Sequence, residues 1–507
     1  MRRILGIVAV LVIALALFGC STLGQAGSAP LKADVAITIL HTNDMHAQGM
    51  ASKTVIGYAR IAGYANALKT EGKNVLTLDA GDTFHGQPWA NLEKGATVAK
   101  LMNLVGYDAM TTGNHDYNYG IDRLVELSKM VNFPVLVANV KRDGALVFTP
   151  YVIKDVSGVR VAIFGLATPE TLYKSDPSGL KGLSFEDPVA TARNLIDKDL
   201  KGKYDVLICL AHLGIDASSA VTSVSVAKAC PEINLIIDGH SHSSLQQEIL
   251  NNPTKVLIVQ ADAMGVTLGR VDMLVSADRK VVSLIPQSIN LTNTPNMASD
   301  PAVQAASDAI VKEQAALLNV VIGQTAVDLV GARDIVRTRE TNLGRLIANG
   351  MLATTGADVA LMNGGGIREG ISAGPITKKQ VYTVLPFSNY LWTTTLTGAE
   401  LKAVLENGVS KAPASDGRFP HLAGATFTYD VSQPVGSRVT SITVGGKPYD
   451  PAATYSFCTL NFEMNGGDEY TMLKGRKYKE FGLDADSFMA YQARLGTVTE
   501  DNIVYRK

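Results

Sequence analysis

Metal-ligating side-chain types recur at five points in the first half of this 507-residue chain, each at the end of an apolar run. The peptides read HTNDMH (41–46), DAGDTFHG (79–86), TTGNHDYNYG (111–120), LAHLG (210–214) and DGHSH (238–242). Asp44 and His46 flank a single residue, so an extended backbone sends both to one side. Asp82 is an anionic oxygen able to bridge two cations, and Asn114 offers a neutral amide oxygen. His212, His240 and His242 offer imidazole nitrogens. A nitrogen and oxygen set without thiolate suits Zn, Mn or Co better than Ca, and is too rich in nitrogen for Mg alone. Seven candidate ligands exceed what one ion takes. Two divalent ions about 3.5–4 Å apart fit them, one activating water and the other holding a substrate oxygen. Any one of these peptides serves equally as a core histidine or a capping acid; five in this order point to a metal site.

The elements that must position them follow from the runs VAITIL, NVLTL, VLICL and LIIDG, which read as buried strands of a mostly parallel sheet. In open α/β sheets, sites form where the carboxyl ends of the strands converge. Helical stretches are expected at 55–70, 96–105, 121–131 and 188–200, alternating with strands through a layered α/β domain over 34–295. Its last part, 256–264 and 268–276, has shorter crossovers and is expected to be antiparallel. Asp300-Pro301 opens a helix of about five turns, with Val303, Ala306, Ile310 and Leu317 at helical spacing, inside a linker over 296–320. A second α/β unit occupies 321–507. It is expected to carry a helix over 340–355, a strand into the glycine loop of NGGGIR, a helix in ITKKQVYTVLPF and short strands from 390 to 460.

Forty-six basic residues against 47 acidic ones leave no charge bias toward nucleic acid. Arg2 and Arg3 precede an apolar run from Ile4 to Phe18, of signal-peptide rather than membrane-span length. Gly19 before Cys20 fits a lipoprotein signal over 1–20, with Cys20 as the lipidated residue and a flexible tether over 21–33. The alternative is an ordinary cleaved signal with an incidental cysteine. Either way the mature chain is expected outside the cytoplasm, in the periplasm or at the cell surface, touching membrane only through that anchor. Cys209, Cys230 and Cys458 allow at most one disulfide, and spacing alone does not show one.

A second constellation lies in 321–507. GARDIVRTRETNLG carries Arg333, Arg337 and Arg339, and NGGGIREG places Arg368 after three glycines, where backbone approaches a ligand closely. Guanidinium forks bind phosphate oxygens bidentately. Phe387 and Phe462 stand beside loops, and such faces stack on nucleobases. From the residues alone, solvated arginines and core phenylalanines explain this as well.

The order Asp-x-His, Gly-Asp, Gly-Asn-His, His and Gly-His-x-His resembles the calcineurin-like metallophosphoesterases. TNDMH with GNHDYNYG and GHSH is similar to the 5′-nucleotidase family, including its UDP-sugar hydrolase and 2′,3′-cyclic nucleotide phosphodiesterase branches. TNLG, NGGGIR, LPF and N-GGD follow in that family's C-terminal order, so the resemblance covers about 34 to 500. It implies a four-layer N-terminal sandwich of two mixed sheets, a linking helix and a C-terminal α/β nucleotide-binding domain; with sites on two domains joined by one helix, rotation between loading and catalysis is expected. It also implies Arg333, Arg337 and Arg368 at the phosphate or carboxyl side, and Arg339 where animal members keep an arginine. Asn363, Asn389 and Asp468 would bind the nucleoside, and Phe387 and Phe462 would sandwich the base. His115 would contact a phosphoryl oxygen or the leaving group. The family's Asp three residues after that His is Asn118 here, able to orient the ring but not to stabilise an imidazolium; Asp116 points away if the segment is extended. The implied activity is release of phosphate from nucleoside 5′-monophosphates by metal-activated hydroxide. The cyclic phosphodiesterase and UDP-sugar branches are the enzymatic alternatives, and a non-catalytic nucleoside-capturing lipoprotein is the alternative of another class.

Overall fold

The computed structural model describes residues 31–175, 177–217, 219–245, 256–387 and 389–503. The leader, Cys20 and most of the tether lie outside them.

Two large sheets form the core of the first domain, beside a small one of Val140–Arg142, Ala145–Leu146 and Leu183–Phe185. In one, Val35–Thr42 runs parallel to Asn74–Asp79 and antiparallel to Thr267–Val275. In the other, Val206–His212 runs parallel to Val159–Ala167 and to Leu235–Ile237, which in turn pairs in parallel with Leu257–Ala261. The apolar runs are continuous because both faces of these strands are buried. Ile208 and Leu210 pack between the sheets with Ile37, Ile39, Leu76 and Ile237. Their alternates Leu207, Cys209 and Ala211 face outward onto Leu195, Val226 and Ala227 of the covering helices. Leu40 likewise faces the opposite layer, with Ala62, Val98 and Met102 of the helices Gly57–Thr70 and Ala96–Val105. The result is helix, sheet, sheet, helix: four layers.

One expectation needs correction. Leu257–Ala261 is parallel to its inner neighbour and antiparallel only to the two-residue strand Ser244–Leu245. The antiparallel turn comes later, in Thr267–Val275 and Val281–Asn290. Short crossovers show that a strand is near its partner in sequence, not which way it runs.

The helix Pro301–Leu318 begins where Asp300 caps it, its carboxylate accepting from the amides of Ala302 and Val303. It is not a free-standing bridge, because Val303 and Ile310 are buried in the first domain's outer core.

The second domain centres on a five-stranded sheet ordered Pro420–Ala423, Val359–Asn363, Thr454–Leu460, Tyr390–Thr397, Lys479–Leu483. Helix Asn342–Thr355 packs on one face through Leu346, Ile347 and Met351, and helix Gly398–Gly408 on the other through Leu401 and Leu405. The latter interrupts the stretch expected to hold only strands. Its start is marked by a reciprocal cap between Thr397 and Glu400. Helix Asp484–Leu495 also goes beyond the sequence expectation. Cys209, Cys230 and Cys458 are free and buried, so no disulfide forms among the described residues, and no helix among them is long and apolar enough to cross a membrane.

Candidate active site

The ligand loops leave the strand ends side by side and hydrogen-bond to each other. Asp44 N–H donates to the Gly81 carbonyl (2.9 Å) and His46 N–H to the Asp82 carbonyl (2.8 Å). Asp44 and His46 do reach one side, but not by extended backbone. Their φ angles are 47° and 44°, and Asp82, His240 and His242 are also left-handed at 57°, 77° and 53°. Side chains other than glycine rarely adopt this region, and such strain concentrates where function holds it. Two glycines let the loops close. A Cβ on Gly113 would stand 2.2 Å from Asp82 Oδ1, and one on Gly239 2.7 Å from His212 Nδ1.

Asp116 explains the loops' rigidity. The segment Asn114–Tyr119 is a 3₁₀ helix rather than extended chain, and it turns Asp116 inward. Its carboxylate accepts from the amides of Asp82, Thr83, Phe84 and Gly113, all within 2.9 Å. Burial, with the nearby Asp82 charge, pushes its pKa up to about 6 despite those bonds.

Two trios of donor atoms converge. Asp44, His46 and His242 form one; Asp44, Asp82 and His212 form the other. His46 Nε2 lies 3.3 Å from His242 Nε2, and Asp82 Oδ2 lies 3.3 Å from His212 Nε2 and 3.9 Å from His46 Nε2. Asp82 thus stands between a histidine of each trio. His212 Nδ1 donates to the Ala80 carbonyl at 2.7 Å, which leaves Nε2 buried without a hydrogen-bond partner and aimed at two carboxylates. Burial opposes a charged imidazole there, yet Asp82 and Asp44 outweigh it and push His212 up to about 10. The cluster demands positive charge at this point, and its donors fit a divalent cation. His240 and Asn114 lie beside the trios, His240 Nδ1 being 2.9 Å from Asn114 Oδ1.

Glu170 had no signal in the sequence. Its Oε2 meets His240 Nε2 at 2.9 Å, the carboxylate-behind-imidazole arrangement that orients metal-ligating histidines. Burial opposes its ionisation, but the His240 contact outweighs burial and takes it down to about 2. His85 was also missed, although it stands in DTFHG three residues after Asp82. It is buried, and its Nδ1 faces the Asn118 amide. His115 is held by its backbone N–H on Asp82 Oδ1 (2.6 Å), and its Nδ1 meets Asn118 Nδ2 at 3.0 Å.

One cavity of about 560 Å³ is shared by both domains. From the first it takes Asp82, Asn114, His115, Asn118, His240 and His242. From the second it takes Arg333, Arg337, Asn363, Arg368, Phe387, Asn389, Phe462 and Asp468. Arg333 Nη1 reaches His242 Nδ1 at 3.0 Å across the boundary. Burial, reinforced by the neighbouring arginines, takes Arg337 down to about 9 and Arg368 to about 10. Asn363 Nδ2 donates to Asp468 Oδ2 at 2.7 Å. Phe462 lies flat on Gly467, where a Cβ would be 2.5 Å from the ring. Phe387 stacks near His115, with ring centroids 5.6 Å apart.

Arg339 is not brought there. It is exposed and borders a separate depression with Glu340, Arg345 and Phe427. Arg333 and Arg337 are four residues apart along a helical turn and share a face, whereas Arg339 is two residues out of phase.

Residues 37–244 match the family model "Calcineurin-like phosphoesterase" and residues 321–475 the model "5'-nucleotidase, C-terminal domain". The chain is 31% identical to Protein UshA of Escherichia coli (strain K12), over 94% of this chain and 95% of that one. It is 34% identical to the Trifunctional nucleotide phosphoesterase protein YfkN of Bacillus subtilis (strain 168), over 91% of this chain. The match spans about a third of that protein's length (34%). The crystal structure of a 5'-nucleotidase precursor from Thermus thermophilus aligns with a TM-score of 0.80 at 35% identity, covering 92% of this chain and 97% of that one.

Proposed function

From the premise that the chain belongs to the 5′-nucleotidase family of metal-dependent phosphoester hydrolases, we propose that it removes phosphate from nucleoside 5′-monophosphates outside the cytoplasm, with two divalent cations. The observation that carries the proposal is the single cavity in which the carboxylate and imidazole cluster faces three arginines and two phenylalanines. Asp44, His46 and His242 would hold one ion; Asn114, His212 and His240 would hold the other, with Asp82 between them. When bound, the ions supply an activated water and neutralise charge on phosphoryl oxygens.

The chain's own groups do the rest. Glu170 fixes the ring of His240, and Asp116 clamps the loops so that little reorganisation remains at the moment of reaction. His115 donates from Nε2 to a phosphoryl or leaving-group oxygen. Arg333, Arg337 and Arg368 bind the phosphate side, and their mutual repulsion is relieved by an anion. Phe387 and Phe462 take the base, while Asn363 and Asp468 fix the nucleoside. The leader would export the chain and anchor it at Cys20, and the two domains would rotate about the end of the linking helix between loading and catalysis.

Asn118 favours a second reading within the family, the cyclic phosphodiesterase branch, because an amide beside His115 gives no charge support to an imidazolium. The test is product analysis with leaderless protein on adenosine 5′-monophosphate and 2′,3′-cyclic adenosine monophosphate, with Mn or Zn and a chelator control. Chelator-sensitive phosphate release from the 5′-monophosphate is expected. Turnover of the cyclic nucleotide alone would move the protein to the second branch. Bound metal with turnover of neither would favour nucleoside capture.

A further inference from the structure

His85 belongs neither to the donor trios nor to the arginine wall. Its ring is parallel to Phe387 across the domain boundary (centroids 5.2 Å, 11°) and roughly parallel to His115 (6.3 Å, 15°). The Asn118 side chain links the two imidazoles: its Nδ2 is 3.0 Å from Nδ1 of His115 and 3.3 Å from Nδ1 of His85. An amide nitrogen carries two N–H bonds and accepts nothing. It serves both rings only if both present a bare Nδ1 and keep their proton on Nε2. Were the amide turned, its oxygen would face both rings, and both would have to carry Nδ1–H. In either case one amide imposes one tautomer on two histidines.

The orientation of the amide selects between the two. Its nitrogen, not its oxygen, is the atom that stands 3.0 Å and 3.3 Å from the two rings. Both imidazoles are therefore bare at Nδ1, and His85 carries its proton on Nε2, which is buried.

We propose that His85 is a positioning residue for the phosphoryl chemistry: its Nδ1 holds the Asn118 amide with nitrogen toward His115, which keeps the His115 proton on Nε2. The consequence for catalysis rests on the reading of His115 as donor to a phosphoryl or leaving oxygen. It also accounts for an amide at position 118. With His85 as a second acceptor, that position has to donate in two directions, which a carboxylate does not do.

Two substitutions separate this role from packing. His85→Phe keeps a ring against Phe387 and removes the acceptor. His85→Asn loses the ring and keeps an acceptor oxygen close to where Nδ1 stood. The measurements are the imidazole ¹⁵N shifts of His115 in Zn-loaded protein, with His115→Gln assigning the signal, and steady-state kinetics on a nucleoside 5′-monophosphate. In the unsubstituted protein and in His85→Asn, His115 should be protonated at Nε2, with kcat equal within about twofold. His85→Phe should show mixed tautomers and lose about tenfold in kcat with KM unchanged. An undiminished kcat and a single Nε2–H tautomer in His85→Phe would overturn the proposal, as would an equal loss in His85→Asn. Should His85→Phe fail to fold, the unsubstituted protein still decides: a His115 proton on Nδ1 refutes the assignment. An unsubstituted protein that hydrolyses no nucleotide would defeat the functional reading while leaving the tautomer measurement valid.

Discussion

On the first domain's side of the cavity, unlike charges and donors crowd together: His212 Nε2 lies 3.8 Å from Asp44 Oδ1 and 3.3 Å from Asp82 Oδ2. On the second domain's side, like charges crowd together, and Arg337 and Arg368 are each pushed down in part by the positive charge of Arg333. The first wall is also locked by backbone, through four amides on Asp116 and five left-handed residues. The second has one left-handed lining residue, Asp468, and leans more on side-chain contacts such as Phe462 over Gly467 and Asn363 on Asp468. A cluster of mixed sign is organised before anything arrives. A cluster of one sign is completed by its ligand. The expected division of labour is that the first wall sets the rate of the chemical step and the second sets which substrate reaches it.

Asp82→Asn tests the first side most severely. Removing the carboxylate between the trios should cost about 10³-fold in kcat/KM, roughly 4 kcal/mol of transition-state stabilisation, together with bound metal measured by elemental analysis. Full metal content with full activity would break the division. On the other side, Phe462→Ala should raise KM about tenfold with kcat little changed, since base stacking contributes about 1–3 kcal/mol; a fall in kcat alone would merge the two walls into one. Arg339→Ala should change kcat/KM by less than about twofold, and a larger loss would show that the exposed arginine does reach the substrate.

Another expectation concerns stability within the second domain. His421 is buried, its Nε2 donating to the Val336 carbonyl at 2.8 Å, and burial lowers its pKa to about 4. The unfolded chain therefore takes up the proton first as pH falls. Stability is full above about pH 6.5 and is lost progressively down to pH 4, by up to about 3 kcal/mol. His421→Gln should flatten thermal unfolding midpoints across that window, and an unchanged slope would exclude the histidine as its source.

The clustering on the first wall was legible because its candidate donors follow strands buried on both faces, where an unbroken apolar run ends abruptly in polar residues. Asp44 and Asp82 announce themselves in that way. The backbone that aims them does not: nothing in HTNDMH signals left-handed conformation at two non-glycine positions, which is held only by the neighbouring loop. Glu170 was invisible because it meets His240 seventy residues along the chain, with no local pattern to mark either contact. Arg339 misled through type without phase; its spacing from Arg337 was readable, but the short helix that gives the spacing meaning was not anticipated. Helix Gly398–Gly408 is the opposite case: its Thr-x-x-Glu start stands in the sequence, masked by strand-like neighbours.

The helix Pro301–Leu318 has a bearing on how the chain divides. Because Val303 and Ile310 are anchored in the first domain's core, and the Val320 carbonyl already accepts from Lys378 N–H of the second, the joint between the halves shrinks to Leu318 and Asn319. A chain cut after Leu318 carries away every metal-ligand candidate with its own covering helix intact. What lies beyond the cut carries the arginines and phenylalanines of the cavity, so donor set and recognition wall occupy separate stretches of chain that meet again where Arg333 reaches His242.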